Sequence, residues 1–124
     1  MNQRINAAFA SYLIRPDETA RLSAYELGRQ ALEAGTGLMD WVGTVHSAIA
    51  DRFRHAESPA ECARIAVAAE GFLLECLSAY EMTFQGAREA NDALRRQNDL
   101  LESETRRIAH EIHDTAGQIL VSVY

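Results

Sequence analysis

The segment Ser58-Pro59-Ala60-Glu61 decides how this chain is built. A serine hydroxyl accepts from the orphan N–H groups of a helix, and proline suits the first helical position. A glutamate three residues on reaches back to complete a capping box. A helix therefore starts at Pro59, and no strong stop signal follows it before Tyr124. Gly71, Gly86 and Gly117 weaken the pattern without breaking it. Uninterrupted, this helix spans about 66 residues and roughly 100 Å at 1.5 Å per residue.

Its character changes along its length. From Ala60 to Phe84 it is apolar nearly all round, which predicts the central element of a bundle. Beyond Gln85 it turns polar with a thin seam, in which Ala87, Leu94, Leu101 and Ile108 recur every seven residues. That is the repeat of a coiled coil. Taken as one core line, it is paired with Ala90, Gln97 and Glu104, which are weak core residues. A lone helix with so narrow a stripe is unstable in water, so the pattern predicts a parallel partner, read as a second copy of the chain. After Ile108 the next apolar residue is Ile112, with Ile119 seven further on. That step is a stutter, an adjustable joint in the supercoil.

Upstream of Ser58 the same logic gives three shorter helices. Ile5, Phe9 and Tyr12–Leu13 fall at helical spacing over residues 2–14, and Pro16 closes that segment. Asp17 caps a second helix running to about Glu33, with Ala20, Leu27, Ala31 and Leu32 as apolar positions. Gly28 inside it allows another helix to approach closely. Gly35-Thr36-Gly37 is the next break. Leu38, Val42, Val45, Ile49 and Phe53 mark a third amphipathic helix, with Trp41 widening its stripe. The expected fold is all-α, a bundle of about four helices whose very long last helix continues as a parallel dimeric coiled coil. Residues 1–84 form an input and dimerisation domain, 85–107 a coiled-coil linker, and 108–124 the start of a further helical element.

Composition supports this frame. Only two prolines and seven glycines interrupt 124 residues, and 48% of them are apolar, enough for a packed core. The formal charge of −6 argues against a nucleic-acid partner, since phosphate binding wants a basic face. Cys62 and Cys76 lie on one helix roughly 21 Å apart, too far for a disulfide between them. Both read as buried small hydrophobes. No secretory leader is expected, and the most apolar run, Ile65–Met82, carries Glu70 and Glu75 and is a poor membrane span. A reducing cytoplasm is the expected compartment.

Within the last helix, Glu104-Thr-Arg-Arg-Ile-Ala-His-Glu-Ile-His-Asp-Thr-Ala-Gly-Gln118 stands out. Asp114 and Gln118, four apart, share a helix face. His113 lies on the adjoining edge, beside the apolar line through Ile108, Ile112 and Ile119. The stretch resembles the H-box of sensor histidine kinases whose pattern reads approximately E-x-x-R-I-A-R-E-L-H-D-x-x-x-Q. Glu104, Arg107, Ile108, Ala109, Glu111, His113, Asp114 and Gln118 match it. His110 stands where the family often has arginine, and Ile112 replaces leucine.

The resemblance implies that His113 attacks the γ-phosphate of ATP, a task suited to an imidazole whose ordinary pKa is about 6.5. It implies that Asp114 is the base or orienter and that Gln118 positions water to hydrolyse a response-regulator phosphoaspartate. ATP and Mg would belong to a separate kinase domain. No cofactor is expected on these residues, and the chain has no glycine-rich phosphate loop. The expectation is therefore an amino-terminal piece of a cytoplasmic kinase, inactive alone, with a response regulator as partner. A helical zinc motif needs histidines four apart, and His110 and His113 are three apart. His46 is expected to be partly buried beside Val42, Val45 and Ile49, and His55 to sit at a helix end.

The first 100 residues resemble, on scattered helix-face positions, the amino-terminal domain of RsbU-type stress-response phosphatases. Tyr25–Leu32, Val45-His46, Phe72–Tyr80 and Phe84-Gln85 carry that similarity. It implies an all-α dimer that receives a regulatory partner protein. The alternative function is accordingly a dimeric docking module for a switch protein, with no phosphotransfer chemistry.

Overall fold

The computed structural model describes the backbone of residues 1–123 and the side chains of residues 1–120. The chain is all-helical there, with four helices: α1 (Asn2–Ile14), α2 (Glu18–Glu33), α3 (Leu38–Arg54) and α4 (Pro59–Val123). It divides into two compact units, Met1–Phe84 and Gln85–Tyr124.

Local chemistry sets each boundary of the first unit. Arg15, preceding Pro16, is extended (φ −152°, ψ 102°) because the proline ring disfavours helix at the residue before it. The Asp17 carboxylate then accepts from the Ala20 N–H at 2.9 Å and starts α2. At the other end Gly35 takes φ 79°. Its N–H donates to the Leu32 carbonyl, and the Thr36 N–H to that of Ala31, each at 3.0 Å. This is a Schellman closure, which favours glycine at the left-handed position. Ser58 accepts from the Glu61 N–H at 3.1 Å, as a helix cap should. The Glu61 carboxylate departs from the capping-box expectation by binding the Glu57 N–H, one residue before the cap.

Ile5, Phe9 and Tyr12 of α1 pack with Ile65, Phe72 and Cys76 of α4 in one core cluster. Phe72 lies 4.8 Å from Phe9 and 5.7 Å from Tyr12 between ring centroids, the second pair edge-on. Three helices meet at the Cys76 carbonyl. Trp41 of α3 donates its indole N–H to it at 2.9 Å, and a Cβ built on Gly28 of α2 would collide with it. Glycine at position 28 is therefore what lets α2 and α4 close up. The Tyr80 hydroxyl donates to the Thr36 carbonyl at 2.8 Å, tying the α2–α3 turn to α4.

Further expectations are corrected. The buried face of α3 is centred on Trp41, Val45, Ala48 and Ile49, while Phe53 is exposed. The Trp41 indole is buried and hydrogen-bonded to the Cys76 carbonyl of α4, so it belongs to the buried face. His46 is exposed instead of partly buried. Finally, the first half of α4 is covered on one side only, and Val67 and Leu74 remain exposed. Cys62 and Cys76 are free thiols, but only Cys76 is fully buried.

Candidate functional site

The candidate site lies in the second unit, on α4 from Glu104 to Gln118. Every side chain from 85 to 120 is exposed, so accessibility is shared by the whole stretch. His113 and Asp114 are both on the surface. No hydrogen bond joins them among the described residues. Consecutive helical positions diverge by about 100°, so neighbours do not face each other. Asp114 follows His113 directly on the same exposed helix. His110 is exposed one turn before His113, and His55 closes α3, where its Nδ1 lies 2.7 Å from the Asp51 carbonyl.

What the structure does bring together is Arg107 with two carboxylates. Its Nη1 donates to Glu111 Oε1 at 2.7 Å and its Nε to Glu104 Oε2 at 3.3 Å, and Nη2 also binds Glu104. The hydrogen bond that Arg107 donates to Glu104, with that to Glu111, raises the guanidinium above its ordinary pKa. Glu104, Arg107 and Glu111 thus form one charged strip on the helix. The spacing of three and then four residues carries that signal in the sequence. The ion pairs are solvent-exposed, so their role is to fix which flank of the helix is charged and not to stabilise it greatly.

Among the described residues, no group of three or more His, Cys, Asp or Glu is arranged to hold a metal ion, and no helix is long and apolar enough to cross a membrane. In the first unit an open groove of about 520 Å³ runs between α1 and α2, lined by Arg4, Ser11, Leu22, Ser23 and Glu26 among others. The hydrogen bond from Arg29 holds the Glu26 carboxyl below its usual pKa. No protein-family model, curated protein or solved structure matches the chain.

Proposed function

We propose that this chain is the input and dimerisation region of a cytoplasmic two-component sensor histidine kinase, with His113 as its phosphoacceptor. The observation that carries the proposal is the motif from Glu104 to Gln118, held on an unbroken helix with His113 exposed. An acceptor histidine has to be reached by two different proteins in turn, the ATP-binding domain and the response regulator. A buried imidazole would serve neither.

In the proposed reaction a ring nitrogen of His113 attacks the γ-phosphorus of ATP. The bond from that phosphorus to the bridging oxygen breaks, and ADP leaves with the electron pair. The proton on the other ring nitrogen passes to the Asp114 carboxylate or to water. Gln118, on the same helix face as Asp114, positions the water that later hydrolyses the regulator's phosphoaspartate. The homodimer brings two such helices together, and a regulatory protein docking on residues 1–84 alters their packing.

The ATP-binding domain must be supplied, either in the longer polypeptide or in trans. With it and labelled ATP, the wild-type chain should acquire acid-labile, alkali-stable phosphate, and His113→Gln should acquire none. Equal labelling of His113→Gln would reject the site. No labelling of either protein would favour the docking-module alternative.

A further inference from the structure

The seam of the second unit has two candidate registers, because the line Ala87, Leu94, Leu101, Ile108 can be either core line of a heptad. As the a line it is completed by Ala90, Gln97, Glu104 and Glu111. As the d line it is completed by Asn91, Asn98, Thr105, Ile112 and Ile119. Two structural observations separate them. Glu104 and Glu111 are both bound to Arg107, so the first register would place a charged strip at the centre of the interface. Burying such ions costs more than their attraction returns. The second register leaves that strip on the flank.

The second observation is a recess. Asn98, Leu101, Glu102 and Thr105 line one shallow depression, together with Arg106. In the second register the first four are the a, d, e and next a positions. That is the set of four that receives a d-position knob from the facing helix of a parallel coil. Leu94, Leu101, Ile108, Ile112 and Ile119, the apolar members of this seam, are 45% to 64% exposed and covered by nothing in the chain.

We infer that residues 87–119 pair with the same residues of a second copy, parallel and in register, and that Asn91 and Asn98 fix that alignment. The assignment presupposes the homodimer proposed above and specifies its seam. In register, every a layer pairs like with like: amide with amide at 91 and 98, hydroxyl with hydroxyl at 105, isoleucine with isoleucine at 112 and 119. A slip of one heptad sets Asn98 against Thr105 and Thr105 against Ile112. An antiparallel pair sets each asparagine against a d-line residue, leaving its amide buried without a partner. The parallel flanks oppose no like charges: Ala90 meets Arg95, Gln97 meets Glu102, and Glu104 meets Ala109. The step from Ile108 to Ile112 is then the ordinary d-to-a step, so the expected stutter disappears. His113 falls at a b position and Asp114 at a c position, both outside the interface.

The test uses the whole chain with Cys62→Ala and Cys76→Ala, and one added cysteine at Thr105→Cys or Glu104→Cys. Copper phenanthroline serves as the oxidant, and mass is measured by light scattering beforehand. A dimer in which Thr105→Cys cross-links about tenfold faster than Glu104→Cys supports the seam. A dimer with equal rates, or with Glu104→Cys the faster, overturns the register and leaves the homodimer standing. A monomer overturns both. As an independent arm, Asn91→Ile with Asn98→Ile should raise the dimer's melting temperature, since it replaces buried amides with apolar layers. An unchanged or lower melting temperature would place those asparagines outside the seam.

Discussion

At the scale of single residues, Gly28 and Cys76 carry the first unit's tightest constraint. Alanine is the better helix former by ~1 kcal/mol, yet a methyl at position 28 meets a backbone carbonyl that cannot swing aside. Moving it would also disturb the Trp41 hydrogen bond. Gly28→Ala should therefore lose about 2 kcal/mol in denaturant unfolding. Gly86→Ala meets open space and should gain about 1 kcal/mol of local helix stability, read by amide hydrogen exchange. Burial, and then the charge of Glu75, push the Cys76 thiol from 9.0 up to about 12. Below pH 9 both folded and unfolded states keep that proton, and stability is independent of it. Between pH 9 and 12 the unfolded chain binds fewer protons, so stability falls as pH rises. Burial raises Tyr80 too, in the same direction. Melts followed by the single, buried Trp41 should show a shallower alkaline loss in Cys76→Ala than in wild type. Identical slopes would mean the thiol is not sealed. That Gly28 admits a close neighbour was legible in the sequence. Which carbonyl it admits was not, because the partner is chosen by tertiary packing.

At the scale of the helix, ends were easier to read than faces. Asp17, Pro16 and Ser58 act within a few residues of where they stand, so their signals are local, and Asp17→Ala should cost about 1 kcal/mol. The face of α3 was harder, because apolar residues lie at 38, 42 and 53 as well as at 41, 45 and 49. Packing against the other helices of the first unit selects between the overlapping stripes, and the buried Trp41 lies on the selected one. Phe72 is the residue on which α1 and α4 most depend, since its ring touches both Phe9 and Tyr12. Phe72→Ala should remove about 4 kcal/mol. Against a total of about 5–15 kcal/mol for a small domain, that is enough to broaden or abolish the cooperative transition seen by circular dichroism. The face of the proposed coiled coil is ambiguous in the sequence for a similar reason. A single leucine line does not say which neighbouring line completes it, and the Arg107 strip and the recess at Leu101 were needed to choose.

At the scale of the molecule, the all-helical class and the long last helix follow from features spread along the chain: few breakers, a capped start at Ser58, and helical spacing in every segment. The proposed function rests on fifteen residues, from Glu104 to Gln118. The structure shows those side chains accessible and places Arg107 between two glutamates, but it does not link His113 to Asp114. The most direct measurement is phosphosite mapping at alkaline pH, after incubation with ATP, Mg and an ATP-binding domain. Phosphate on the imidazole of His113, with His46, His55 and His110 unmodified, is the predicted result. Phosphate on one of those three histidines instead, or on no histidine at all, would contradict the account.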